Sequence, residues 1–382
     1  MTEQNHARAI VARGPLGEGG WKMEDVRLRE IADDELVIRV VASGICHTDI
    51  ITGSQKEGPG VVYPSVKGHE GSGYVERVGA AVTVAQPGDP VLLSFSYCAD
   101  CAICESGHPA YCTRFGEINF VGAPNFSSAT TLPNEQADLF GGFFGQSSFA
   151  SKTIVKQNSV VNVKGLVADD DLKMLCSLGC GVQTGSGSIT NLAEAGPTDT
   201  VAVMGVGAVG LSSIMGAKLQ GCQTIIGIDK VASRLELAKE LGATHTINTA
   251  GMKDLSEVVN AVLDVTDGLG SSVTVDTTGF VPLISKGVEF TRMRGKLIQV
   301  GLPAFDATLS IPITMFIITG KQYIGSMEGD VVPSEYIPKL LQWYGDSKLP
   351  LEKMTRFYKA DEWQKAIDDT HHGDAVKAVI VW

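Results

Sequence analysis

Four cysteines in one short stretch, Cys98, Cys101, Cys104 and Cys112, carry the densest chemistry in the sequence. Their spacing, C-x2-C-x2-C-x7-C, puts four thiolates within 15 residues, close enough to fold around one tetrahedral Zn2+. A closed set of four sulfur donors leaves no free coordination position, so it is expected to pin a lobe of chain as a structural zinc site. Disulfides and an iron–sulfur cluster are the other readings of these residues. A reducing compartment disfavours the first, and the second needs a redox chain of which the sequence gives no other sign.

A second set is scattered: Cys46 in GICHTD, His69 and Glu70 in GHEGSG, and Cys180 in LGCGVQTGSG. Singly, a cysteine is most often a small buried apolar residue and a histidine a satisfied polar group. Together, two thiolates and one neutral imidazole leave one position of a tetrahedral Zn2+ open. An alcohol oxygen entering that position becomes more acidic, and its alkoxide gives up hydride more readily.

A third element supplies an acceptor. Gly205-Val206-Gly207-Ala208-Val209-Gly210 follows the apolar run VAVM and opens a helical pattern. The first glycine permits a tight turn, the second a close backbone approach to a pyrophosphate, and the third close packing of helix on strand. Asp229 follows Gly210 by 19 residues at the end of the next strand pattern, where an acid accepts hydrogen bonds from the adenosine ribose. Such an acid repels a 2′-phosphate, which favours NAD over NADP, although Lys230 and Arg234 lie close by and Arg234 is counted among the cofactor-binding residues. The bland reading of the loop is a glycine-rich turn before an ordinary core helix.

The elements that must position these residues fall into two patterns. A chain of 382 residues exceeds one ordinary core. Up to about residue 110, short β-branched runs such as 35–41 and 91–95 alternate with Gly/Pro turns, and residues 111–145 read as one long loop excursion. From near Leu172 to about residue 325 strands (200–204, 224–229, 273–276, 296–301, 322–324) alternate with helices (208–220, 233–241), the mark of a doubly wound parallel sheet. The expected division is 1–181 for a β-rich catalytic domain with its metal lobe near 95–115, 182–325 for the nucleotide domain, and 326–382 for a return to the first, through helices at 334–344 and 360–369 and a strand at 377–381. The class is α/β.

Composition limits the partners. Hydrophobic residues make up 44% and charged residues 19%, proportions of a folded globular chain, and 44 glycines suit tight turns and nucleotide loops. A net charge of -12 argues against nucleic acid and against anionic membrane surfaces. No apolar run is long enough for a membrane span and the N-terminus lacks a signal-peptide core, so a cytoplasmic location is expected. Eight cysteines in that setting read as metal ligands or buried thiols, with Cys176 and Cys222 in the second group and the pair His371-His372 left to solvent.

The order GHEGSGYVERVG, four-cysteine lobe, GCGVQTG, GVGAVG, IIGID resembles that of the zinc-containing alcohol dehydrogenases of the medium-chain dehydrogenase/reductase superfamily, from about residue 7 to the C-terminus. GICHTD and FFGQSSFA make it most similar to the aryl (benzyl) alcohol dehydrogenases. The resemblance implies a GroES-like catalytic domain joined to a Rossmann domain, two Zn2+ per chain, and NAD. It implies catalytic zinc ligands Cys46, His69 and Cys180, Glu70 as an alternative or transient ligand, and Asp49 on the other ring nitrogen of His69. Thr48 would bond the substrate oxygen and begin a proton relay. His47 and Lys377 would reach the cofactor pyrophosphate, Thr184 would lie near the nicotinamide, and Val300 would join the cofactor contacts.

Two departures accompany the resemblance. Ile51 stands where many members carry a histidine as outer proton acceptor, which leaves the terminal base unassigned. His47 replaces an arginine, so its charge near pH 7 is largely lost. Matching motifs places Phe95, Phe143, Phe144, Leu302 and Met327 around the substrate, an apolar slot suited to aryl or allylic alcohols and their aldehydes; the bland reading is that some of them fill core. The competing functions are a double-bond reductase of the same superfamily, an enzyme oxidising the formaldehyde–glutathione adduct, and a non-enzymatic NAD- or zinc-binding sensor. The apolar stretch near 310–325 suits assembly into a homodimer or homotetramer.

Overall fold

The ten-residue run Glu35–Gly44 becomes the central strand of the first part of the molecule, with only Arg39 of its side chains exposed. Such burial needs neighbours on both edges. Gly71–Val78 pairs along one edge, and Lys152–Lys156 and Lys377–Val381 share the other, all antiparallel. With Pro90–Leu93, Val160–Asn162 and Thr355–Lys359 they make a seven-stranded sheet. A closed barrel of His6–Ala12, Trp21–Leu28, Ala123–Ser128, Leu139–Gly141 and Ser65–Val66 lies in the same unit. Its alternation of inward residues packs Ile10, Val26, Val66, Phe126 and Phe149 into a core with none of its edges open.

The computed structural model describes residues 5–128 and 138–382. They form two units: Met1–Cys180 with Val332–Gly345 and Met354–Trp382, and Gly181–Val331 with Asp346–Lys353. The sequence pattern puts the return to the first unit at residue 326, whereas residues 326–331 and 346–353 stay with the second. The reason is local: the turn after residue 325 is hydrogen-bonded to the helix Gly181–Gly187 and to Asn191 of the same unit.

The expectation of a featureless loop over 111–145 is also corrected. It contains the strands Ala123–Ser128 and Leu139–Gly141, paired antiparallel, preceded by a wide helical turn at Glu117–Val121. Residues 129–137 of that stretch lie outside the described residues. Its many Gly, Ser and Asn residues hide a strand pattern because these strands are short and have few β-branched side chains.

The second unit has six parallel strands, which we label β1 (Thr200–Met204), β2 (Thr224–Asp229), β3 (His245–Asn248), β4 (Ser271–Asp276), β5 (Thr291–Gln299) and β6 (Gln322–Gly325). Their spatial order is β3-β2-β1-β4-β5-β6, the doubly wound order of a dinucleotide-binding sheet. Residues of β1 and β2 such as Ala202, Met204, Ile226 and Ile228 are wholly buried, as parallel strands covered on both faces require. Among the described residues no helix is long and apolar enough to cross a membrane.

Candidate metal centres and cofactor loop

In the first unit, one ligand atom from each of Cys46, His69 and Cys180 lies within 4.8 Å of the others. Cys46 sits at the start of the helix His47–Ser54, His69 just before the strand Gly71–Val78, and Cys180 just after the turn Leu175–Gly179. Three distant segments are thus held by sheet pairing and by a hub at Asp49. This fully buried carboxylate accepts from His69 Nδ1 at 2.9 Å, from Gly68 N at 3.0 Å and from Cys46 N at 3.1 Å. Holding the proton on Nδ1 leaves the Nε2 lone pair free to bind a metal. His69 Nε2 is buried and has no hydrogen-bond partner, the state expected of a nitrogen made for an ion.

The protonation balance agrees. The Cys46 thiol is held well below its ordinary value, by a hydrogen bond with Cys180 first, against burial and with help from His69. His69 is raised well above its usual value, since Asp49 and Cys46 outweigh the burial that pushes it down. Metal ligands bind as thiolate and neutral imidazole, so the lowered Cys46 thiol suits a metal ligand. The residues fit Zn2+: two cysteine sulfurs and one oriented imidazole, with no fourth His, Cys, Asp or Glu in the cluster among the described residues.

Glu70 and Lys377, expected beside the metal and at the cofactor pyrophosphate, pair with each other. The Lys377 ammonium donates to Glu70 Oε1 at 2.7 Å, to Oε2 at 2.8 Å and to Ile45 O at 3.2 Å. Both side chains are buried, and the Glu70 carboxylate keeps Lys377 charged against the burial that opposes it. In this structure Glu70 therefore faces an ammonium, and Lys377 faces a carboxylate and a backbone carbonyl. The strand Lys377–Val381 pairs beside Gly44, which carries the ammonium to this spot. His47 is exposed on the neighbouring helix.

Aromatic rings wall this centre. Phe144 stacks on the His69 ring at 4.5 Å and Phe143 meets it edge-on at 5.6 Å. Phe144 adopts a left-handed backbone (φ 50°, ψ 39°), a conformation bulky residues rarely take. The surroundings impose it by binding residues 143–149 along residues 66–71. Ser147 Oγ donates to Val66 O, Ser148 N to Gly68 O and Phe149 N to Lys67 O, while Gln146 Nε2 donates to His69 O and its Oε1 accepts from Gly71 N. Phe115 and Phe120 also pack edge-on against Phe144, at 5.9 and 5.3 Å, and Phe95 packs on Phe115. Phe95, Phe143 and Phe144 of the expected slot therefore cluster in the first unit, while Leu302 and Met327 belong to the second. Phe115 and Phe120 escaped the sequence reading because their stretch carries no periodic signal. Thr48 lies in the same helix turn as Cys46, with Oγ1 3.8 Å from Cys46 Sγ.

Cys98, Cys101, Cys104 and Cys112 converge in the same way. The Cys98–Cys112 and Cys98–Cys104 sulfurs are 3.4 and 3.8 Å apart. A Zn–S tetrahedron with bonds of about 2.3 Å has edges of about 3.8 Å, so the cluster is already of zinc size. Backbone N–H groups of Cys98 and Arg114 point at Cys112 Sγ, at 3.5 and 3.4 Å. Backbone hydrogen bonds from Cys104 and Thr113 bring Cys101 down to about 5, while burial pushes Cys104 up to about 12. Cys176 and Cys222 are buried and outside both clusters.

In the second unit the glycine loop leaves β1 as a tight turn, with Gly205 at φ 84°. A side chain at Gly210 would meet Gly205 O at 1.9 Å, so the third glycine sets the packing of the helix Ala208–Leu219 on the turn. Around Gly207 nothing lies within reach of an added Cβ, leaving room for a phosphate at the helix N-terminus. Val206, Ala208 and Val209 carry the rest of the turn, and Asp229 fixes it: Oδ2 accepts from Val206 N at 2.8 Å and Oδ1 from Val231 N at 2.9 Å. Arg234 lies on the helix Ala232–Leu241, its Nε without a partner. Val300 N is bonded to Asp276 O, and Thr184 Oγ1 donates to Glu328. Asp276, unmarked in the sequence, is a buried hub that accepts from Thr278 Oγ1, Gly279 N and Gln299 Nε2 at the carboxyl end of β4.

The chain matches the alcohol dehydrogenase GroES-like domain model over residues 32–165 and the zinc-binding dehydrogenase model over 208–346. It is 36% identical over 382 residues to geraniol dehydrogenase from Castellaniella defragrans, covering 98% of each chain. It is 33% identical to a probable S-(hydroxymethyl)glutathione dehydrogenase 1 from Schizosaccharomyces pombe, covering 94% of this chain and 93% of the other. The crystal structure of benzyl alcohol dehydrogenase from Acinetobacter calcoaceticus superposes with a TM-score of 0.89 at 36% identity, over 98% of this chain and 99% of that one.

Proposed function

This chain belongs to the zinc-binding alcohol dehydrogenases of the medium-chain dehydrogenase/reductase superfamily, and from that premise we propose that it interconverts primary aryl or allylic alcohols and their aldehydes with NAD, using two Zn2+ per chain. The observation that carries the reading is the three-ligand centre of Cys46, His69 and Cys180, with the free His69 Nε2 and a phenylalanine wall beside it. The geraniol and benzyl alcohol relatives add support for an allylic or aryl substrate.

Zinc at this centre would supply the Lewis acidity that makes an alcohol proton labile, and the nicotinamide ring would accept the hydride. The chain's own residues do the remainder. Asp49 fixes the His69 tautomer, and the buried Glu70–Lys377 pair keeps the surroundings of the two thiolates close to neutral. Thr48 takes the alcohol proton at its Oγ1. Phe143 and Phe144 exclude water and offer flat apolar faces to the substrate's ring or double bond. Ile51 cannot pass the proton on, so Thr48 must release it by another route. Asp229, its two oxygens set by the loop, accepts from the ribose hydroxyls and disfavours a 2′-phosphate.

We assign the assembly to a homodimer at least. The helix Ile313–Thr319 exposes Ile313, Ile317 and Ile318 by 70–80%, and β6 beside it is the edge strand of its sheet. A second copy covering both would remove an apolar patch and an open edge together.

The test is NADH or NADPH absorbance with benzyl alcohol, geraniol, ethanol and S-(hydroxymethyl)glutathione, each with NAD and NADP, before and after chelation. Aryl and allylic turnover with NAD, abolished by chelation, is expected. Turnover of the glutathione adduct alone, or of enones by the Cys46→Ser protein, would replace the reading by one of its competitors.

A further inference from the structure

The turn after β6 holds three left-handed residues in a row. Glu328, Gly329 and Asp330 are consecutively left-handed, at φ 51°, 70° and 52°. Two of the three are not glycine, so the surroundings must hold them there. Several of the holding groups come from the stretch 181–191, and Gln299 O accepts from Ser326 N at 2.8 Å. Gln183 Nε2 donates to the Glu328 carboxylate at 3.0 Å and Thr184 Oγ1 to the same oxygen at 3.3 Å. Asn191 Nδ2 reaches the carbonyls of Gly329 and Asp330 at 3.3 and 3.2 Å, and Ser188 Oγ meets Ser326 Oγ at 2.8 Å. A Cβ on Gly329 would lie 2.5 Å from Gln183 O, so the turn and the helix touch backbone to backbone. The Glu328 side chain is buried, and it joins this turn to the helix by a charged acceptor.

Position gives the strain a purpose. In a sheet of this order a dinucleotide lies across the carboxyl ends of the strands. Its adenosine half belongs at β2, where Asp229 ends the strand, and its nicotinamide half at the β4–β6 side. The turn 326–330 is the carboxyl end of β6. We propose that Glu328 is a positioning residue for the nicotinamide half of the cofactor: its carboxylate aims the Thr184 hydroxyl and locks the left-handed turn 328–330 into the one shape that the ring end of the cofactor meets. The inference rests on the nicotinamide-cofactor reading and adds to it a residue that never touches the ring.

The experiment compares NADH with ADP-ribose, which carries the adenosine half and lacks the nicotinamide, on the zinc-loaded wild-type, Glu328→Ala and Glu328→Gln proteins. Binding is read by NADH fluorescence and by calorimetry, and zinc content is checked for each protein. In Glu328→Ala the NADH Kd is expected to rise about tenfold, the size of one lost charge-assisted hydrogen bond, while the ADP-ribose Kd stays within about twofold. Glu328→Gln, which keeps the shape and one acceptor oxygen, is expected to lose about threefold for NADH alone. In turnover, KM for NAD rises and KM for the alcohol does not. An unchanged NADH Kd in both variants overturns the proposal. So does a parallel loss of ADP-ribose binding, because the residue would then only hold the unit together. If the alanine protein does not fold, the glutamine protein decides by the same criteria. Wild-type protein that binds neither ligand would sink the cofactor reading itself, a separate and recognisable outcome.

Discussion

Replacing Asp49 by asparagine should loosen the catalytic metal without disturbing the fold. The carboxylate is fully buried and faces three donors, His69 Nδ1, Gly68 N and Cys46 N, at 2.9, 3.0 and 3.1 Å. Its Oδ1 serves the first two and Oδ2 the third. An asparagine has one acceptor oxygen and one NH2 group. With the oxygen toward His69 and Gly68, the NH2 opposes Cys46 N. With the oxygen toward Cys46, the NH2 opposes two donors, and His69 loses the partner that keeps its proton on Nδ1. Either way at least one buried N–H is left unmatched, at about 1–3 kcal/mol. Loss of such a supporting carboxylate weakens metal binding by about 10–100-fold, or about 1.4–2.7 kcal/mol. The assay is a competition between protein and a chromophoric zinc chelator, alongside kcat/KM for benzyl alcohol at saturating zinc. We expect one zinc per chain to weaken by this factor while the other is unmoved, and kcat/KM to fall at least tenfold. Zinc affinity and activity both equal to wild type would refute the role assigned to Asp49 and, with it, the orientation argument for His69 Nε2.

Cys98→Ser should cost one zinc per chain and lower Tm, with the first unit unfolding earlier in calorimetry, while the zinc at Cys46, His69 and Cys180 remains; loss of both ions would show that the two centres are not independent. Glu35 is buried, and its carboxyl lies below the usual range because hydrogen bonds from Arg29 and Ala32 outweigh the burial that raises it. Its contribution is therefore complete above the unfolded value, near 4.3, and disappears as pH falls through the lower folded value. Glu35→Gln should accordingly reduce the urea midpoint at pH 7 more than at pH 3, and an equal loss at both would contradict the ion-pair account. Ile317→Lys should convert the proposed dimer to monomer in light scattering, with binding of ADP-ribose retained, whereas an unchanged mass would place the interface elsewhere.

Much of the chemistry was legible because it depends on residue type at close spacing. The four-cysteine lobe is a local object: its gaps alone force the sulfurs together. The loop Gly205–Gly210 is another, since turn, helix start and packing glycine lie within six residues, and the strands Thr200–Met204, Thr224–Asp229 and Lys377–Val381 follow from short apolar runs bounded by turn residues. The set Cys46, His69 and Cys180 needed the family resemblance to give its members roles, because the three are separated by up to 134 positions and no local rule joins them. Tertiary structure alone decided what stands behind those ligands. It set Asp49 on three donors, turned Lys377 onto Glu70, and bent Phe144 into a left-handed backbone over His69. It also found strands inside an apparent loop and kept the turn 326–330 with the second unit. Sequence pattern records which faces must be buried, an average property of many residues. The partner of a single buried carboxylate or ammonium depends on which distant backbone arrives beside it, and that is settled only when strand pairing and packing are complete.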